Sequence, residues 1–175
     1  MASLHARRRL WQAFSLLAVF ALLAALVPAP ELGRLARPAK EAGRLFLPDR
    51  DGDLVRDDVG RMIRQDYSGV SHAALMQVAR SWQKLATLAD AKPDVQFAAG
   101  NRLTRAFDCA YSPGVLARSQ MGPQDMYAAI ARIRDALFDT PERKAALEKA
   151  EAGRGTRAWA HDNAPCDFDP AAMAG

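Results

Sequence analysis

Apolar side chains recur at helical spacing over most of the chain beyond residue 55. Val59, Met62, Ile63 and Tyr67 fall three or four residues apart and predict a short helix over 56–66. Leu75, Val78, Ala79, Trp82, Leu85, Ala86 and Ala89 keep the same period and predict a second helix, from an N-cap at Ser71 to about residue 90. Val95, Ala98, Ala99, Leu103, Ala106, Phe107 and Ala110 predict a third over 94–110. Met126, Ile130, Ile133 and Leu137 predict a fourth, from Pro123 to about Phe138. Thr140-Pro141-Glu142 reads as an N-cap followed by proline at the first helical position. It opens a fifth helix to about Ala152 with a thin apolar face of Ala145, Ala146, Leu147 and Ala150, and Gly153 and Gly155 stop it. Ser68-Gly69 and Ser112-Pro113-Gly114 read as breaks between helices. The tail offers Trp159, Cys166 and Phe168 for packing. The expected fold is all-α, four or five short helices in one domain over 49–175.

The first part of the chain follows another pattern. Residues 10–27 are apolar except for Gln12 and Ser15, Arg7-Arg8-Arg9 precede them, and Pro28 and Pro30 close the run. A basic tip before an apolar run is the layout of a secretory signal. The run is also just long enough to cross a bilayer, with Trp11 at an interface. Val27-Pro28-Ala29 is the better match to a signal-peptidase site, but Pro30 would follow the cut; Leu23-Ala24-Ala25 is weaker. Residues 1–27 therefore read as a signal anchor or a removed signal peptide, against the plainer reading of a buried core helix. Arginine ahead of the span places the tip in the cytoplasm and the rest on the periplasmic or extracellular face. The membrane is a partner if the segment stays uncleaved. Residues 28–48 hold Pro28, Pro30, Pro38 and Pro48 among alternating charges and read as a linker.

Composition narrows this further. Half of the residues are apolar but only 7% are aromatic, and alanine is abundant, which suits helices packed through small residues. The net charge of +4 owes three charges to Arg7, Arg8 and Arg9. Beyond them the basic and acidic side chains nearly balance, with no basic stripe interleaved with aromatics, so nucleic acid is not an expected partner. A protein partner stays open.

The densest candidate chemistry is Asp49-Arg50-Asp51-Gly52-Asp53-Leu54-Val55-Arg56-Asp57-Asp58. Aspartates at alternate positions around a glycine turn can aim several carboxylates at one point, as a hard cation requires. The stretch resembles the DxDGDxxxD unit of thrombospondin type 3 repeats and, more distantly, the EF-hand loop. The resemblance covers about ten residues of the chain. It implies Ca²⁺ as the ligand, with Asp49, Asp51, Asp53 and Asp57 as side-chain ligands and Val55 as a main-chain one. Two positions depart from the EF-hand. Leu54 stands at the sixth, where glycine is usual, and Gly60 at the twelfth, where a bidentate acid is usual. The expected affinity is therefore on the order of 10⁻⁴–10⁻³ M. Asp58 is a partial substitute for the missing acid. The competing reading is a solvated turn in which Asp57 caps a helix and the other acids pair with Arg50 and Arg56.

Cys109 and Cys166 fit neither a zinc site nor a CxxC redox pair. In an oxidising compartment they are expected to form a disulfide that ties the tail to the third helix, with two buried thiols as the alternative. Cys109 as a nucleophile would need a base, and only His72 and His161 offer one. No serine motif or oxyanion-type loop accompanies His161-Asp162. Two functions follow: an exported, non-catalytic binding or structural protein with a weak structural calcium loop, or an enzyme or enzyme accessory whose catalytic groups the sequence does not single out.

Overall fold

The fold is built around one helix whose buried residues run almost all the way round it. This is α2 (Gly69–Thr87), and Val70, Ala74, Leu75, Val78, Ala79, Trp82, Leu85 and Ala86 are all buried along its length. A helix apolar on every side has to be enclosed, and α2 packs against each of the other five helices. These are α1 (Asp57–Asp66), α3 (Pro93–Ala110), α4 (Pro113–Ser119), α5 (Pro123–Leu137) and α6 (Pro141–Gly153), with a 3₁₀ turn at Pro170–Ala172. The computed structural model describes residues 44–153 and 164–173. Among these residues there is no strand, and the domain is all-α.

Small residues on α2 and α3 (Ala74, Ala79, Ala86, Ala99, Ala106 and Ala110) are buried, so the two helices pack closely. Larger side chains are fully buried on α2 (Leu75 and Leu85) and on α5 (Met126, Ile133 and Leu137), and these two helices pack against each other. Trp82, Phe107, Phe138 and Phe46 form a chain of edge-to-face contacts, with centroids 5.3 Å apart for Trp82–Phe107, 6.5 Å for Trp82–Phe138 and 5.9 Å for Phe46–Phe138. Phe46 lies within the stretch expected to be linker, yet is 1% exposed. The core thus takes in the last residues of the arm. The rest of residues 1–43, including the signal or anchor segment, lies outside the described residues, as do Trp159 and His161. No described helix is long and apolar enough to cross a membrane.

Among the described residues, four of six helices begin on proline (Pro93, Pro113, Pro123 and Pro141), where the missing N–H would be unpaired in any case. Thr140 caps α6, its Oγ1 accepting from Arg143 N at 3.3 Å. Three expectations needed correction. The Ser112-Pro113-Gly114 turn opens a seven-residue helix, α4, because the Ser112 hydroxyl accepts from Val115 N and Val115 itself is buried. Ser71 does not cap α2. Gly69 turns the chain at φ 53, so Ser71 is already helical and buried, and its hydroxyl donates to Ser68 O at 2.8 Å. The expected face of α3 holds from Ala99 to Ala110, but in its first turns Val95 and Ala98 are exposed, whereas Gln96 is buried. The Gln96 amide donates to Leu88 O and Ala89 O, at 3.1 and 2.9 Å, and so satisfies carbonyls left over beyond the end of α2.

Candidate functional site

The acidic loop is closed at its ends before any ion is considered. Asp57 N donates to Pro48 O at 2.8 Å, and Arg50 N donates to Asp57 Oδ1 at 2.7 Å. Within it each aspartate holds a backbone N–H a few residues on: Asp49 Oδ1 accepts from Gly52 N at 3.0 Å, Asp51 Oδ1 from Asp53 N at 3.4 Å and Asp53 Oδ1 from Val55 N at 2.9 Å. Two residues turn the chain through the left-handed region, Gly52 at φ 71 and Leu54 at φ 66. Leu54 thus holds the conformation for which the sixth position of an EF-hand loop uses glycine. The Val55 side chain is fully buried and anchors the loop to the core.

Carboxylate oxygens of Asp49, Asp51 and Asp57 lie within 4.8 Å of one another. An all-oxygen donor set of this kind suits a hard cation. Asp53 turns elsewhere, with its second oxygen 3.3 Å from Arg64 Nη1. The same nitrogen is 3.4 Å from Asp51 Oδ2. Arg64 reaches the loop across Gly60, where a Cβ would stand 3.3 Å from the guanidinium. A protein cation therefore sits over the residue where an EF-hand places its bidentate acid. Arg50, exposed, lies 3.7 Å from Asp57. His72, on α2, is near enough for Arg64 and Asp53 to act on its titration. Its pKa is lowered by burial first and then by Arg64 and Arg80, with Asp53 opposing, and its Nε2 has no hydrogen-bond partner.

Asp58 faces away from the loop, toward Arg56. Arg56 is 4% exposed, and its Nε and Nη2 donate to the two Asp58 oxygens at 2.5 and 2.8 Å. It also donates to Asp139 at 3.1 and 3.2 Å and to Ala136 O at 2.7 Å. Its own N–H goes to Gln83 Oε1 at 3.0 Å. Arg56 thus joins the loop to α2 through its backbone N–H and to the end of α5 through its buried guanidinium. Burial disfavours its charge, but the bonds to Asp58 and Asp139 outweigh this and its pKa is raised. The bond from Arg56 holds the Asp58 carboxyl below the usual range. Desolvation opposes the same shift at Asp139, where Arg56 and Arg143 prevail.

The sulfurs of Cys109 and Cys166 stand at disulfide bonding distance, 2.05 Å, with Cα atoms 4.8 Å apart. Bonded to Cys166, Cys109 has no thiol to act as a nucleophile. Such a pair suits an oxidising compartment. The bridge has company. Gln77, buried on α2, donates from Nε2 to Pro165 O at 2.9 Å and accepts at Oε1 from Asp167 N at 3.0 Å. Arg105 pairs with Asp167 at 3.2 Å, and Arg118 donates to Met173 O. Residues 164–173 form a strap across α2, α3 and α4.

Sequence reasoning missed Arg64 and Gln77 in these roles, and for Arg56 it offered pairing with neighbouring acids but not the tie to Asp139 and Ala136 O. Only Arg64 left a local signal, a glycine inside a helical pattern one turn before it, which marks a close approach. Comparison of the chain with protein-family models, with curated proteins and with solved structures returned no match.

Proposed function

We propose that the chain is an exported, non-catalytic binding or structural module. It works on the periplasmic or extracellular face, secreted or held by its N-terminal segment, and its acidic loop takes Ca²⁺ as a structural fastener. The observation that carries the calcium reading is the convergence of the Asp49, Asp51 and Asp57 carboxylates. The left-handed Leu54 supports it, since the backbone keeps the turn that brings alternate aspartates to one side. Val55 would add its carbonyl and water the remaining oxygens. The disulfide supports the compartment.

A second reading is favoured by Arg64, whose guanidinium lies on Asp51 and Asp53. In it the loop is neutralised from within and needs no ion. Thermal melting against Ca²⁺ separates the two. A cation at ten times its Kd stabilises by about 1.4 kcal/mol, a rise in Tm of roughly 3–6 °C for a domain of this size. The fastener reading expects that rise at millimolar Ca²⁺, its loss in Asp49→Ala and Asp57→Ala, and tighter binding in Arg64→Gln. An unchanged Tm in the wild type and in Arg64→Gln rejects it.

A further inference from the structure

A cleft of about 420 Å³ opens among α2, α3, α5 and α6. Ligand sites are typically about 300–1,000 Å³. Trp82 and Phe107, in edge-to-face contact, line it together with Leu103 and Ile130. Two further rings, Tyr111 and Tyr127, belong to its lining and are 37% and 64% exposed. Four aromatic rings meet at one opening, and Tyr111 and Tyr127 are the exposed aromatic residues among those described, so a flat apolar body can stack there. The Tyr111 hydroxyl is pushed up by desolvation and by Tyr127 beside it, in keeping with a partly dry opening.

The charges at this opening are the second observation. Arg134 and Glu151 complete the lining. Neither side chain has a hydrogen-bond or ion-pair partner among the described residues. Elsewhere on the same helices, Arg132 pairs with Asp66 at 2.8 Å and Lys149 with Asp90. An aromatic cleft flanked by a cation and an anion whose side chains have no partner among the described residues matches a molecule with the same three parts.

We propose that this cleft binds a zwitterionic aromatic molecule of the size of an aromatic amino acid. Its ring stacks among Trp82, Phe107 and Tyr127, its carboxylate pairs with Arg134 and its ammonium with Glu151. The cleft shares no residue with the acidic loop, so this inference goes beyond the calcium reading and the two tests fail independently.

Isothermal titration of the full chain with three probes that share one indole ring tests it: L-tryptophan, indole-3-propionate, which lacks the ammonium, and tryptamine, which lacks the carboxylate. Tryptophan is expected to bind most tightly, with each singly charged probe about three- to tenfold weaker. Arg134→Gln should erase the advantage over tryptamine and Glu151→Gln the advantage over indole-3-propionate. Both positions lie at or near the surface, and an unchanged Tm confirms that each variant folds. Ala131→Trp, which fills the cleft, should abolish binding of all three. Absence of binding at millimolar tryptophan, equal binding of the three probes, or binding that survives Ala131→Trp overturns the proposal.

Discussion

At φ 66, Leu54 holds a backbone conformation that costs a non-glycine residue about 1–2 kcal/mol, and with its side chain 60% exposed little packing offsets this. Leu54→Gly should therefore raise stability by about 1 kcal/mol in urea unfolding; a loss of more than that would show that the leucine is packed after all. Gly153 stands at the opposite extreme. A Cβ there would fall 1.7 Å from Gln96 Oε1, and the Gln96 amide is held by Leu88 O and Ala89 O. Gly153→Ala must displace it and leave Ala89 O without its donor, while Leu88 O keeps Ala91 N, a loss of about 1–3 kcal/mol. If Gly153→Ala unfolds at the wild-type denaturant midpoint, Gln96 does not serve as the cap of α2. At this scale the sequence was partly readable. Alternating aspartates mark the loop on their own, and Thr140-Pro141 marks a helix start. Gln96 and Gln77 left no trace, because a buried amide that serves distant carbonyls looks like any surface glutamine until the fold brings them together.

Between elements, Arg56 is the main polar tie. Removing one partner of a buried ion pair costs about 3–5 kcal/mol. Here the stranded carboxylates are near the surface, with Asp58 60% and Asp139 47% exposed, and can rehydrate. Arg56→Met should therefore lose about 2–3 kcal/mol by chemical denaturation, mostly through the lost tie to Ala136 O and α5. The network also sets an acid limb. Asp58 and Asp139 titrate below their ordinary value of 3.8 in the folded protein. Their contribution is complete above that value and disappears as pH falls through the folded values, while Arg56 stays charged. Melting temperatures followed down from pH 6 should fall below about pH 4. Asp58→Asn should lower the plateau and flatten that limb, whereas an unaltered limb in Asp58→Asn would place the acid sensitivity elsewhere. The elements themselves were largely legible, since 3.6-residue periodicity and proline starts located five of the six helices. The exception, α4, is seven residues long with Val115 as its one buried side chain, too short for a period to show. Only the first turns of the α3 face were misjudged, at Val95 and Ala98, because an apolar count cannot see that a glutamine is needed inside.

Over the whole molecule, an alanine-rich, aromatic-poor composition and sustained helical spacing were enough for the all-α class, and two cysteines were enough to expect the bridge. The strap of residues 164–173 was not legible, as it is held by Gln77, Arg105 and Arg118 from three helices. Closing a loop over a separation of 57 residues is worth about 4 kcal/mol in the chain-entropy model. Reduction should lower Tm and release the strap to protease first, and Gln77→Ala should add to that loss. If the reduced and oxidised proteins melt together, the bridge contributes nothing. The central claim concerns the loop that opens the domain, and direct Ca²⁺ titration by calorimetry on the wild type and Asp49→Ala tests it most directly. One site is expected in the wild type, with a Kd on the order of 10⁻⁴–10⁻³ M, and none in Asp49→Ala. No heat of binding in the wild type at saturating millimolar Ca²⁺, or equal binding by Asp49→Ala, would contradict it.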